Sequence, residues 1–312
     1  MKISVALATY NGEKYLTEQL ESLYSQTYQP DEVIVCDDDS TDKTVSIIES
    51  FINQYQLQDK WKIFKNEKNR GYANNFYKAL SLCHGDIIFF CDQDDIWNCE
   101  KIEIMGNLMK QNADIQMLAC DYEPYSCTDD APSLSKEVVA RMKNDNTLEK
   151  IPLNRRTIFI GSEGCAMCIR RTFRDEIQDY WFSGWAHDEF VWKLSLCEGG
   201  CYLYHKNLFK RRLHSNNVSK RKMHTMSKRI YFLENLEKSH QKTLKFAQKL
   251  ELEEETLQMI KKNIVSVKLR IELMKDKKIS NIFPLALRYL NYYSNKKSFL
   301  VELAMAIKGD LR

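Results

Sequence analysis

A chain of 312 residues, 44% hydrophobic and 29% charged, can bury a substantial core, which excludes a disordered chain and leaves one large domain or two modest ones. The longest purely apolar runs, such as 283–287, fall far short of the ~20 residues that span a bilayer, and the N-terminal apolar run is too short for a secretory leader. The net charge of +3 conceals a split: residues 1–204 carry 21 Lys and Arg against 33 Asp and Glu, and residues 205–312 carry 25 against 10.

A cytoplasmic protein is the expectation, and its ten cysteines are then small buried hydrophobes rather than disulfides. Cys165 and Cys168 form a C-x-x-C pair, but no second Cys or His pair stands at zinc-ligand spacing, so neither a structural zinc nor a redox role is expected.

In chain order, Ile3 to Ala8 reads as a strand running into the Thr9-Tyr10-Asn11-Gly12 turn. Tyr15, Leu16, Leu20, Leu23 and Tyr24 then recur at helical spacing. Glu32 to Cys36 is a second strand, stopped by Asp37-Asp38-Asp39-Ser40. Ser40 or Thr41 is placed to cap a helix carrying Val45, Ile47, Ile48, Phe51 and Ile52. A strand over Trp61 to Phe64, a helix from Gly71 to Leu82 and a strand over Asp86 to Cys91 follow, then a helix around 102–109 and a strand around 115–120. Residues 123–155, with Pro124, Pro132 and Pro152, read as a loop or lid holding a short helix. A strand is expected over Ile158 to Ile169, a helix over 187–198 and a strand over Tyr202 to Leu213. From about 225 the pattern is helical, with Leu233, Leu236, Leu244, Leu250, Leu257, Ile260, Ile264, Val267 and Ile271 marking two or three helices.

Strands alternating with helices over the first ~120 residues imply a mostly parallel sheet with helices on both faces, an α/β fold. Ligands of such sheets bind beyond the carboxyl ends of the strands, where the Thr9-Tyr10-Asn11, Asp37-Asp38-Asp39 and Asp92-Gln93-Asp94-Asp95 segments all fall. Three carboxylates at one strand end repel each other unless something positive is near. Mg²⁺ or Mn²⁺ bridging two phosphates is the natural partner for Asp92 and Asp94, and a solvated turn capping the next helix is the plainer alternative. A carboxylate of the 37–39 run is placed to accept from a base N–H, or simply to cap a helix.

Together these segments resemble a known family. Ala8-Thr9-Tyr10-Asn11-Gly12 looks like its opening strand and turn, and Val33 to Asp42 resembles its V-D-D-G-S-x-D element. Asn69-Arg70-Gly71-Tyr72-Ala73-Asn74-Asn75 resembles N-x-G-x-x-x-N, and Asp92-Gln93-Asp94-Asp95-Ile96-Trp97 its metal motif. The family is the family 2 inverting glycosyltransferases, of GT-A fold, and the resemblance covers roughly residues 1–220. The D-Q-D-D-I-W form and Gly164 to Arg171 look most like the rhamnosyltransferase-type branch. Asp39 stands where the family usually has Gly; if that position needs a positive φ, Asp tolerates it better than most residues.

The resemblance implies a GT-A catalytic domain over residues 1–222 and a basic, all-helical C-terminal region over 223–312. Thr9, Tyr10, Asp38, Asn69 and Gly71 would bind the nucleotide-sugar, Tyr10 offering a flat apolar contact to the base. Asp92 would contact ribose or metal, Asp94 would hold the Mg²⁺ or Mn²⁺ that stabilises the departing diphosphate, and Asp95 would support them. Gly184 to Glu189 resembles the family's base segment, with Asp188 as the catalytic base and His187 and Glu189 sharing the proton work. The bland alternative is a helix N-terminus, where acids suit the macrodipole. Arg211 to Ser219 resembles an R-x-H-x-x-N-x-S ending, with Arg212 suited to diphosphate and His214 to the metal or a phosphate. Trp181, Trp185 and Glu189 are acceptor-site candidates, the two indoles reading equally as core.

The implied reaction transfers a sugar, with inversion, from a UDP- or dTDP-sugar (dTDP-rhamnose among them) to a hydroxyl of a lipid-linked or growing surface polysaccharide. A sugar nucleotidyltransferase and a non-catalytic scaffold are the alternatives. The basic helices suit anionic headgroups at the inner membrane face, or form a solvated surface. No nucleic-acid partner is expected, since no reading motif is present.

Overall fold

The structure, a computed structural model, describes residues 1–127, 131, 133–214 and 225–310. The chain forms two compact units, one built from 1–151, 161–195 and 199–217, the other from 152–160, 196–198 and 218–312. The expected boundary after residue 222 falls outside the described residues.

The first unit opens with β1 (Ile3–Thr9), α1 (Leu16–Tyr24), β2 (Glu32–Asp37), α2 (Thr44–Gln54), β3 (Trp61–Lys65), α3 (Tyr72–Leu82) and β4 (Ile87–Cys91). β4 is buried along its whole length and β1 nearly so, which is why both read as unbroken apolar runs rather than alternating ones. There follow β5 (Ile96–Trp97), α4 (Lys101–Gln111), β6 (Met117–Ser126), α5 (Lys136–Arg141) and β7 (Leu148–Lys150). β8 (Met167–Arg170), α6 (Arg171–Ile177), α7 (His187–Cys197) and β9 (Cys201–Leu213) complete it. One sheet holds all nine strands in the order β3-β2-β1-β4-β8-β6-β9-β5, with β7 also on β9.

The α/β fold is realised, with a parallel core. β3-β2-β1-β4 is parallel throughout, as is β6 with β9, while β8, β5 and β7 pair antiparallel with their neighbours. The strand expected over 158–169 shrinks to β8, because the two glycines before it serve close packing instead of pairing. A Cβ on Gly161 would lie 2.8 Å from the Trp192 ring, and one on Gly164 would lie 2.5 Å from His187 Nε2. β6 runs past Cys120 through Pro124, which a register shift between Asp121 and Glu123 accommodates. The short helix expected in 123–155 is α5, capped by the Ser135 hydroxyl accepting from Val138 N. Ser40 and Thr41 do not cap α2, which starts three residues later at Thr44. The Asp42 carboxylate accepts from Thr44 N there, at 2.9 Å.

The second unit contains α8 (Met226–Lys249), α9 (Glu254–Lys275), α10 (Ile282–Pro284) and α11 (Lys297–Lys308). A π-turn (Leu285–Tyr289) and a 3₁₀ turn (Leu290–Tyr292) follow α10. Leu233, Leu236, Val267, Met274 and Met305 form one core cluster, and Leu273, Leu285, Tyr293 and Ala306 a second. Inside this unit the carboxylate of Glu302, wholly buried, accepts from Arg270 Nε at 2.9 Å and from Arg229 Nη2 at 2.7 Å.

Candidate active site

The carboxyl edge of the parallel strands is tied together by side chains of the loops that leave it. Thr9 Oγ1 donates to Asp37 Oδ2 at 2.8 Å, locking the end of β1 to that of β2. Asp39 takes φ 65°, so the position where the family usually has glycine does need the left-handed region. That turn delivers Ser40, whose hydroxyl also donates to Asp37, at 2.6 Å, and accepts from Asn11 N. Asp38 is buried and faces the other way. Its carboxylate accepts from Asn66 Nδ2, Arg70 N and Gly71 N at 2.8–2.9 Å, which folds the 66–71 loop over the sheet edge. Gly71 sits at φ 82° immediately before α3, a conformation that only glycine adopts without strain, and Asn69 Oδ1 also accepts from its N–H. Asn75, a turn further on, reaches the carbonyl of Cys36 at 2.8 Å. The N-x-G-x-x-x-N spacing is thus a loop-and-helix clamp on β2.

Two expectations shift as a result. Thr9 is buried with its hydroxyl committed to Asp37, and the Asp38 carboxylate is already held by three protein donors. Both are therefore scaffold for the edge first. Tyr10, 47% exposed, is the residue that presents a ring to solvent there. Its backbone is gripped at both ends by Gln93, which accepts from Tyr10 N at 2.8 Å and donates to Tyr10 O at 3.0 Å. The grip needs Gly12, since a Cβ there would lie 2.3 Å from Gln93 Oε1.

β4 ends in the acidic turn. Donor atoms of Asp92, Asp95 and Cys165 lie within 4.8 Å of one another. Asp95 is 1% exposed; its Oδ1 accepts from Arg212 N at 3.0 Å, and its Oδ2 has no hydrogen-bond partner. Burial, then repulsion from Asp94 and Asp95, raises Asp92 well above the usual carboxylate range. Burial and Asp94 push Asp95 up to about 7. Asp94 pairs with His214, Oδ2 to Nε2 at 2.7 Å, so the two expected metal ligands do meet. A buried, partnerless carboxylate oxygen among acids that resist ionising marks a site short of positive charge, and a hard divalent cation fits it. Oxygen donors from Asp92, Asp94 and Asp95, with His214 alongside, suit Mg²⁺ or Mn²⁺. The Cys165 thiol, held protonated by burial, does not.

Arg212, expected at the diphosphate, donates from its guanidinium to the Asp94 carbonyl at 2.8 Å, pairs with Glu18 at 3.0 Å and lies over the Tyr15 ring, contacts that tie it to the acidic turn.

The expected base stands at the first turn of α7. Asp188 Oδ1 accepts from Glu189 N at 2.7 Å, and burial, aided by the charges of Glu189 and Glu163, pushes the carboxyl up to about 7. Its charge is among those that raise Asp92, so base and acidic turn share one pocket of field. Gly164 lets them approach: a Cβ there would also lie 3.3 Å from Asp188 Cβ. His187 does not share the proton work. It is buried, stacked on Phe76 at 3.8 Å, pushed down to about 3 by burial, and neither ring nitrogen has a hydrogen-bond partner. Glu189 pairs with the buried Lys193 at 2.5 Å. Trp185, 1% exposed, belongs to the core and cannot take a sugar ring. Trp181 is partly exposed and stacks on Tyr77 at 3.9 Å.

Three further side chains were missed in the sequence. Arg211 Nη1 donates to Glu163 Oε1 at 2.9 Å and to Tyr122 Oη at 3.2 Å, and its charge lowers the pKa of both Asp92 and Asp95. Glu163 in turn acts on Asp188. Arg211 was visible beside Arg212 in the R-x-H-x-x-N-x-S segment, but nothing local marks Glu163 or Tyr122. The Asn and Ser that end that segment lie outside the described residues.

Comparison with known proteins fits this geometry. Residues 4–176 match the family model for glycosyl transferase family 2. The chain is 33% identical over 121 residues to the Escherichia coli UDP-Glc:alpha-D-GlcNAc-diphosphoundecaprenol beta-1,3-glucosyltransferase WfgD, covering 39% of this chain and 46% of that one. It therefore spans about half the length of that relative. Among solved structures, Staphylococcus aureus TarS 1–349 in complex with UDP-GlcNAc superposes with a TM-score of 0.65 at 21% identity, covering 97% of this chain and 82% of that one. The mannosyltransferase PcManGT of Pyrobaculum calidifontis, in complex with GDP-Man and Mn²⁺, gives 0.55 at 15%, covering 97% and 86%. At these identities the two structures carry the fold. With more than half of its length matched by the family model, the chain belongs to glycosyl transferase family 2.

Proposed function

We propose that this protein is an inverting, metal-dependent hexosyltransferase that moves a sugar from a nucleotide-diphosphate donor to a hydroxyl of a lipid-linked or growing polysaccharide. The observation that carries the reading is Asp188, a buried carboxylate at a helix N-terminus whose charge is felt by the Asp92 turn. Residues 1–222 would form the catalytic domain and residues 223–312 the region that holds it at an anionic membrane face. A UDP-sugar is the donor favoured by the names of the similar proteins, and dTDP-rhamnose belongs in the same screen.

Tyr10 presents its ring to the base, on an edge held by Thr9 and Asp38, while Asn69 and Gly71 shape the loop beside it. Asp92, Asp94, Asp95 and His214 would hold Mg²⁺ or Mn²⁺, which supplies charge neutralisation for the departing diphosphate. Asp188 accepts the proton of the acceptor hydroxyl as its oxygen bonds to the anomeric carbon, and the bond from that carbon to the diphosphate oxygen breaks on the opposite face. The nucleoside diphosphate leaves with the electron pair, and the configuration inverts. A carboxylate with a pKa near 7 suits this, since it is ionised at working pH yet basic enough to take the proton. Trp181 and Glu189 lie on the same segment as Asp188 and are the acceptor-side candidates.

The test is a thermal-shift and product screen of UDP-, dTDP- and GDP-sugars with Mn²⁺ or Mg²⁺, followed by Asp188→Asn and Asp94→Asn. Asp188→Asn should lower transfer by about 10²–10⁴-fold with donor affinity kept, whereas Asp94→Asn should lose the metal-dependent rise in melting temperature as well. Normal turnover in both variants overturns the assignment.

A further inference from the structure

The membrane reading rests on the Lys and Arg excess of the last hundred residues and on leucines and isoleucines at helical spacing. The structure weakens the second support on α8 and α9, where Leu233, Leu236, Ile260, Ile264 and Val267 are buried in the unit's own core and Leu244, Leu250, Leu257 and Ile271 are partly buried. No helix among the described residues is long and apolar enough to cross a membrane.

Apart from Tyr231 and Val265, the exposed large apolar side chains of this unit lie in residues 279–307. Ile279, Phe283 and Leu287 follow one another at four-residue intervals on the helical run that passes through α10 and the π-turn, and they are 47%, 71% and 82% exposed. Four-residue spacing with a π-turn in the run keeps all three on one side. On α11, Leu300 and Ile307, seven residues apart and thus on one face, are 63% and 65% exposed. Both runs contribute buried side chains to one core cluster, Leu285 from the first and Ala306 from α11. The same stretch carries the exposed cations Lys277, Arg288, Lys296, Lys297 and Lys308, with Lys275 and Lys278 already paired to Glu234 and Glu272, and its exposed acids are Asp276 and Asp310. The remaining acid, Glu302, is neutralised inside by Arg229 and Arg270.

We infer that these two stripes form one membrane-docking layer: Phe283, Leu287, Leu300 and Ile307 enter the headgroup–acyl boundary of an anionic bilayer while Lys277, Arg288, Lys296, Lys297 and Lys308 contact its phosphates. Apolar projections accompanied by one sign of charge favour an anionic lipid surface over a protein partner, whose contact would leave five cations to be matched one by one. The inference deepens the reading of a lipid-linked acceptor, because the enzyme would meet that acceptor in the plane where it is held.

Flotation of the full chain with vesicles of phosphatidylcholine alone and of phosphatidylcholine with 30% phosphatidylglycerol tests it, alongside light scattering without lipid. The expected result is capture by the anionic vesicles only, lost at least tenfold in Phe283→Ser/Leu287→Ser and, separately, in Lys296→Gln/Lys297→Gln. All these residues are exposed, so folding should be unaffected and nucleotide-sugar binding unchanged. Capture that is equal on neutral vesicles, or that survives both pairs of changes, overturns the inference. So does a dimer in light scattering that the Phe283→Ser/Leu287→Ser change dissociates, since a second copy would then cover the layer. Failure to bind any nucleotide-sugar would instead overturn the transferase reading, and the two failures are read by different measurements.

Discussion

As the proposed base, Asp188 would couple proton affinity to both stability and rate, with opposite signs. Its folded pKa of about 7 lies above the ~3.9 of an unfolded aspartate, so the folded state binds the proton more tightly. The resulting stabilisation is present in full below about pH 4 and is lost as pH rises through 7. Catalysis runs the other way, because only the ionised carboxylate accepts a proton. The rate of transfer at low acceptor concentration should climb about tenfold from pH 6 to its plateau above 8, with one apparent pKa near 7. A profile flat from pH 5.5 to 8 would remove Asp188 from the role. The sequence marked this residue because the segment that resembles the family's base region is short and local. It did not carry Glu163 and Tyr122, whose partner Arg211 is 48 and 89 positions away, since chain spacing does not encode such pairings. Nor did it separate Trp181 from Trp185: aromatic type is the same for a core residue and for a sugar platform, and only burial divides them.

At the scale of elements, the apolar runs that made β1 to β4 visible are long enough to show what covers them. β5 and β7 have two and three residues, too few for any period, which is why neither is legible in the sequence, and β8 has four, which is why its bounds are drawn too wide. The decisive contact of that half is Gly164 against the first turn of α7. His187 has no room to retreat, being stacked on Phe76, so a methyl group at Gly164 must displace the helix start that carries Asp188. Gly164→Ala should therefore reduce kcat by about 10–100-fold, the scale on which an ångström of misplacement acts. The Kd for the nucleotide-sugar should stay within about twofold, because Tyr10 and the 66–71 loop stand on other elements. Isothermal titration beside single-turnover kinetics separates the two quantities, and an unchanged kcat would show that α7 tolerates the shift.

Over the whole molecule, the charge split suggests two regions, but charge at helical spacing cannot say which cations face water and which are bound inside. Arg229 and Arg270, two of the 25 cations beyond residue 204, point inward onto Glu302, the hub that joins α8, α9 and α11. Arg270 also lies 4.2 Å over the Tyr293 ring, so the pair is seated in the second core cluster rather than at its rim. Such an arrangement adds little over an apolar core while intact, yet removing one partner leaves uncompensated charge in a low-dielectric interior. Glu302→Ala would strand two guanidinium groups at once. It should cost about 3–5 kcal/mol in the stability of the helical unit, seen as faster amide hydrogen exchange along α8, α9 and α11. Glu302→Ala combined with Arg229→Met and Arg270→Met should recover most of that protection, because the charges and their desolvation leave together. Failure of the triple variant to recover would mean that the three groups act through shape and hydrogen-bond geometry, and that charge compensation is the lesser part of what holds the unit.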